Sequence, residues 1–299
     1  MERFPGYTLV RTEDCPEQHG TLTVLTHDVS GATVLLVENE DTNKAFGIGF
    51  GTFPSDDTGV FHILEHSVLA GSEKYPVTSP FLQLLKSSMA SFLNAMTFPD
   101  KTVYPFATPN ETDFKNLMDV YLNAVFCPLA MVDKSVFEQE GWHRSADGTV
   151  SGVVYNEMQG ALAAPDAQLE NALERAMFPD TAYGFVSGGD PASIPALTYE
   201  KCCITLYGKM DMAEKLELLD RDYLSKMPKG TSRPQLTVQH EQAGACVELP
   251  YYTENPEPDE VQCALAWYTG AFADRERQLG VEILLGALLS TNSSPLKAA

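Results

Sequence analysis

The chain has 299 residues, enough to bury a substantial core in one large domain or two modest ones. Its hydrophobic (44%) and charged (20%) fractions are those of a folded protein, which excludes wholesale disorder. A formal net charge of −21 argues against nucleic acid or an anionic membrane as partner and is compatible with basic ligands, although solubility alone would also account for it.

The opening "MERFPGYTLVRTEDC" has no basic region followed by an apolar one, so no secretory signal is expected. No apolar run reaches the length of a membrane span. "TLTVLTHD" (Thr21 to Asp28), "ATVLLVEN" (Ala32 to Asn39) and "KAFGIGFGT" (Lys44 to Thr52) read as three successive strands, with "DVSGA" and "NEDTN" as hairpin connections. Thr58 is expected to cap a helix that runs through "HILEH" to Gly71. Ser79-Pro80 opens a further helix, "SPFLQLLKSS". "SFLNAMTF" and "TVYPFAT" form a hairpin around "PDK".

Helical periodicity returns in "ETDFKNLMDVYLNAVF" (Glu111 to Phe126), "KSVFEQEGWH", "GVVYNEMQGAL" and "AQLENALERAMF". "CCITLYG" is a short strand and "MAEKLELLDRDYLSKM" a helix. The polar, Pro-bearing stretch after them reads as a linker. Strands "GACVELP" and "VQCALAWYTG" and a helix, "DRERQLGVEILLGALLS", follow, before a last helix start at Ser294-Pro295. Hairpins with helices to one side predict an α+β layer fold. The cysteines, Cys15, Cys127, Cys202, Cys203, Cys246 and Cys263, form no CxxC pair and read as reduced structural thiols of a cytoplasmic protein.

Within "GVFHILEHSVLAG", His62 and His66 stand one helical turn apart with Glu65 beside them. Two such histidines can hold one zinc ion, and Glu65 is placed to orient and deprotonate a metal-activated water. The order H-x-x-E-H is that of inverted zinc-protease motifs. One protein ligand is then still missing. Glu138, Glu140 and Glu157 are the candidates on downstream helices. Glu157 ranks first by a narrow margin, because its helix otherwise reads as buried and an unpaired carboxylate there is costly. The bland alternative makes His62 and His66 core histidines and pairs Glu65 with Lys74.

The match extends far beyond five residues. "TGVFHILEHSVLAGSEKYPVTSPFLQLLKSSMASFLNAMTFPDKTVYPFAT", "NLMDVYLNAVF", "FEQEGWH", "GVVYNEMQG" and "VSGGDPASIPALTYE" closely resemble the pitrilysin/insulinase family of zinc peptidases, in its presequence-protease and falcilysin branch. The resemblance implies a two-layer α/β domain with an antiparallel-rich sheet covered by helices. It implies one Zn2+ per catalytic domain, bound by His62, His66 and Glu157, with Glu65 as general base. It also implies that Asn94 and Ala95 pair their backbone with an unfolded peptide substrate as an added strand, which accepts many sequences. The acidic balance would favour basic peptides.

On this resemblance, residues 1–228 are the catalytic domain, 229–243 a linker and 244–299 the incomplete start of a second homologous domain. Relatives draw an arginine and a tyrosine from a C-terminal half, so a partner supplying that half is expected. Relatives also carry a helix where "LTYEKCCITLYG" (Leu197 to Gly208) joins two elements almost directly. The expected function is a zinc-dependent endopeptidase of unfolded peptides. The alternatives are a non-catalytic peptide-binding subunit or an inactive truncated product.

Overall fold

The computed structural model describes residues 4–77, 80–199, 220–226, 261–266 and 274–289, with 237, 239, 248, 250 and 269 as single positions. The chain divides into two compact units, Met1–Pro258 and Asp259–Ala299.

The first unit opens with a three-stranded antiparallel sheet of β1 (Tyr7–Cys15), β2 (Gly20–His27) and β3 (Thr33–Asn39). The sequence did not reveal β1, because only Tyr7 in it is buried and its charged stretch mimics a loop. The β2–β3 hairpin forms as expected, with Gly31 at φ +75° in the turn. Tyr7, Leu25, Val34 and Leu36 make a small core under this sheet.

"NEDTN" is not a hairpin. The Asn39 and Asp41 side chains accept from the backbone N–H groups of Asp41 and Asn43, and these Asx turns send the chain into a different sheet. There β4 (Lys44–Phe50) pairs along its whole length with β7 (Thr102–Thr108). The short strands β5 (Phe92–Leu93) and β6 (Met96–Thr97) pair antiparallel with the same β7, giving the expected hairpin with a break at Asn94 and Ala95.

Alternation in β4 puts Phe46, Ile48 and Phe50 on one face, where they join Tyr104 and Phe106 of β7. Against them pack Ile63, Leu64 and Val68 of α1 (Val60–Leu69) and Phe114, Leu117 and Tyr121 of α3 (Glu111–Phe126). Asn110 caps α3 by accepting from the N–H groups of Thr112 and Asp113. Between them lies α2 (Pro80–Ser87), with Pro80 in its first turn. The helices α4 (Lys134–Glu140), α5 (Val153–Ala161) and α6 (Pro165–Met177) complete the set expected here, with β8 (His143–Arg144) and β9 (Val150–Ser151) paired between α4 and α5. The architecture is α+β.

Thr58 does not cap α1. Its hydroxyl and N–H both go to Asp56, and Gly59, left-handed at φ +67°, takes the cap position. A Cβ on Gly59 would stand 2.6 Å from the Gly188 carbonyl oxygen, so only glycine fits this close approach.

Residues 220–226 carry the end of one expected helix, and there His27 Nε2 meets Asp220 Oδ1 at 3.1 Å. The rest of that helix, the "CCITLYG" strand, the Leu197–Gly208 connection beyond Tyr199, the linker except Thr237 and Gln239, "GACVELP" except Glu248 and Pro250, and the Ser294-Pro295 helix start lie outside the described residues.

In the second unit, α7 (Arg275–Leu289) forms as expected. Residues 261–266 of the expected strand "VQCALAWYTG" are irregular; Val261 and Leu265 are exposed and no described strand pairs with them. No helix among the described residues is long and apolar enough to cross a membrane.

Candidate metal centre

The α1 periodicity puts His62 and His66 on one helix face, with their ring centroids 4.9 Å apart. The opposite face carries Ile63 and Val68 into the core, which fixes the rotation of the helix. Across from the histidines, α5 presents Glu157. Its Oε1 lies 3.7 Å from His62 Nε2 and its Oε2 lies 3.6 Å from His66 Nε2. One donor atom from each of the three residues falls within 4.8 Å of the others, so together they can hold a metal ion. A tetrahedral divalent ion with bonds of about 2.1 Å keeps its ligand atoms roughly 3.4 Å apart. The two histidine–glutamate separations stand close to that spacing.

The outer nitrogens are also occupied. His62 Nδ1 donates to the Gly188 carbonyl oxygen at 2.9 Å. A carbonyl can only accept, so the proton sits on Nδ1 and the Nε2 lone pair faces Glu157. His66 Nδ1 lies 3.6 Å from Glu140 Oε2, and Gln139 steadies that carboxylate by donating to Oε1 at 2.8 Å. Burial lowers the His66 pKa, but Glu140, Glu65 and Glu157 outweigh it and raise the pKa above the ordinary imidazole value. A cation at this position is electrostatically favoured.

Glu65 is buried next to the histidines and does not belong to the three-residue cluster. Thr97 Oγ1, on β6, donates to Glu65 Oε2 at 2.8 Å and leaves Oε1 without that restraint. Glu138, the other candidate, is exposed on α4 and paired with Lys134 at 3.0 Å. Glu140 is buried and faces the rear of His66. Lys74 pairs with Asp119, not with Glu65.

His62, His66, Glu157, Glu65, Thr97 and Glu140 line an open cleft of about 800 Å3, with Phe81, Phe98 and Val153 among its apolar walls. Asn94 and Ala95 line it too. The Asn94 N–H donates to the Pro105 carbonyl at 3.1 Å, and its own carbonyl accepts from the Tyr121 hydroxyl at 3.2 Å. The Ala95 N–H is taken by Asn94 Oδ1 at 3.0 Å. Sequence reasoning missed the roles of Gly188, Thr97 and Glu140 around the histidines. The signals were present in "VSGGD", "NAMT" and "EQEGWH", but only the folded chain shows what each touches.

Residues 46–184 match the family described as insulinase (peptidase family M16). The chain is 38% identical to Protein HypA of Clostridium perfringens over 99% of its own length and 33% of that protein. It is likewise 38% identical to presequence protease 1, chloroplastic/mitochondrial, of Arabidopsis thaliana, over 98% of the chain and 29% of the relative. The chain belongs to the pitrilysin/insulinase family of peptidases. Within it, the chain sits in the presequence protease branch, where mitochondrial presequence protease of Mus musculus is 43% identical over 67% of the chain and 20% of the relative. Among solved structures, the crystal structure of pitrilysin shares the fold at a TM-score of 0.58 and 19% identity, over 78% of this chain and 26% of that one. The chain spans about a third of the length of the first of these relatives, and less of the others.

Proposed function

We propose that the chain carries the catalytic centre of a zinc-dependent endopeptidase that degrades unfolded peptides. The observation that carries this reading is the convergence of His62, His66 and Glu157, with Glu65 adjoining, in an open cleft. His62, His66 and Glu157 would hold the zinc. When bound, zinc makes a water acidic enough to supply hydroxide near neutral pH and polarises the carbonyl under attack.

Glu65 is the general base. With Oε2 held by Thr97, its Oε1 accepts a proton from the attacking water as the new C–O bond forms. Glu65 then returns that proton to the amide nitrogen as the C–N bond breaks, so its charge is restored. Asn94 and Ala95 form the edge offered to the substrate, with pairing at Ala95, because the Asn94 N–H and carbonyl are already bonded to Pro105 and Tyr121. An incoming strand that uses the Ala95 N–H displaces the Asn94 side chain from it.

The cleft lining includes Glu65, Glu140 and Glu157 and no lysine or arginine among the described residues. Basic peptides are therefore the favoured class. At low salt, a basic peptide is expected to be cleaved faster than an acidic one of equal length, with the gap shrinking as salt rises. Equal rates at low salt would remove this preference.

Residues 1–228 are the proposed catalytic domain, 229–243 the linker and 244–299 the start of a second homologous domain. Because the chain spans a third or less of these relatives, a further segment completing the substrate site is part of the proposal. Cys15, Cys127 and Cys263 are free thiols, which supports a reducing compartment; the cytoplasm is the proposed one.

The test is peptide cleavage before chelation, after it, and after zinc is returned. Cleavage is expected to vanish and then recover. Cleavage that survives removal of the metal would overturn the zinc reading, and a metal-loaded chain that binds peptide without cutting it would make it a binding subunit.

A further inference from the structure

The outer nitrogen of His62 is held by a loop, and that loop is itself held by one residue that the sequence did not single out. Asp57 lies just ahead of α1. Its Oδ1 accepts from the Val186 N–H at 2.8 Å, and its backbone carbonyl accepts from the Asp190 N–H at 2.8 Å. Both ends of the loop Val186–Asp190 are thus tied to the same residue. Inside the loop, the Gly189 N–H donates to the Val186 carbonyl at 2.9 Å, with Gly189 left-handed at φ +100°. The carbonyl of Gly188, between the two ties, is the one that accepts from His62 Nδ1.

A third contact fixes the Asp57 carboxylate. Arg175 Nη2, reaching from α6, lies 2.9 Å from both Oδ1 and Oδ2. The guanidinium is half exposed while Asp57 is largely covered, so the carboxylate and its backbone donor form the tighter part of the clamp. Gly59 closes the arrangement from below, with room for no side chain against Gly188.

We infer that Asp57, braced by Arg175, is a positioning residue for the metal centre. By setting the Val186–Asp190 loop it aims the Gly188 carbonyl at His62 Nδ1 and so directs Nε2 to the metal. The inference rests on the zinc reading above. Outer-shell partners of metal-bound histidines typically change metal affinity by about 10–100-fold when removed. An effect of that size is expected even though Asp57 touches no metal ligand directly.

The experiment is zinc affinity of the full chain, measured by competition with a chromophoric chelator, for the native protein, Asp57→Ala, Arg175→Gln and Asp119→Asn. Asp57→Ala is expected to weaken zinc binding by about 10–100-fold, and Arg175→Gln by less in the same direction. Asp119→Asn breaks contacts to Lys74 and Tyr75, neither of which lines the cleft, and is expected to leave the affinity unchanged. Equal zinc affinity in native, Asp57→Ala and Arg175→Gln proteins would overturn the positioning role. If Asp57→Ala fails to fold, Arg175→Gln decides alone: it removes the brace on the Asp57 carboxylate while the Val186 and Asp190 N–H groups keep their Asp57 acceptors, and native zinc affinity in it would overturn the role. A native chain that binds no zinc would instead defeat the metal-centre reading itself.

Discussion

Replacing Glu65 by glutamine is expected to lower the rate of peptide cleavage by about 10²–10⁴-fold while leaving the zinc content unchanged. Glutamine keeps the size of the side chain, and its amide oxygen can still accept from Thr97 at the Oε2 position. It has no basic oxygen with which to take a proton. Glu65 stands outside the cluster of metal donors, so the metal has no reason to leave. Cleavage rates and metal analysis on the same preparation check both halves of this expectation. Undiminished cleavage would remove Glu65 from the chemistry, whereas zinc lost together with activity would make it a ligand.

Glu157→Ala is expected to have the second large effect, on metal rather than on the proton. It removes one of three protein ligands, and zinc retained after dialysis is expected to fall from about one per chain to near zero. The Glu157 side chain is half exposed, so its loss costs little packing and the metal-free fold is expected to change by about 0.5 kcal/mol or less. The neighbouring carboxylates provide the contrast. Glu140→Ala leaves all three ligands but removes the group behind His66 Nδ1, so a weakening of about 10–100-fold is expected. Glu138→Ala breaks only an exposed pair with Lys134 and is expected to leave zinc binding intact. Zinc retained at native affinity in Glu157→Ala would show that the third ligand lies elsewhere.

The parts of the site that were legible in the sequence are the local ones. His62, Glu65 and His66 fall within one and a half turns of α1, and helical periodicity alone places both imidazoles on one side. Glu157 is far away in the chain. Its claim over Glu138 and Glu140 rested on a weak burial argument until the resemblance singled it out. That argument was also inaccurate in one respect, because Glu157 is half exposed in the cleft and Glu140 is the buried carboxylate. A buried carboxylate did need a partner, and for Glu140 that partner is His66.

The fold was readable to a similar depth. Helix α3 matches its expected ends because its cap and its apolar stripe are both local. Turn signals at "NEDTN" correctly marked a change of direction, but they carry no information about which strand the chain joins next. Thr58 had the chemistry of a cap, yet the backbone of Gly188 and Gly189 lies against that end of the helix and admits only glycine there. Strand β1 was missed because an edge strand with one buried residue offers no alternation to read. At "NEDTN" and at Thr58 the deciding contact comes from a distant part of the chain, β7 in the first case and the Gly188–Gly189 backbone in the second.

The central claim is that this chain assembles a zinc site from His62, His66 and Glu157. The most direct test is the zinc content of the purified chain after metal repletion and removal of loosely bound ion. About one zinc per chain, lost in Glu157→Ala and kept in Glu138→Ala, is the predicted result. A folded chain that retains no zinc would contradict the account, because the donors brought together here would then not form a metal site.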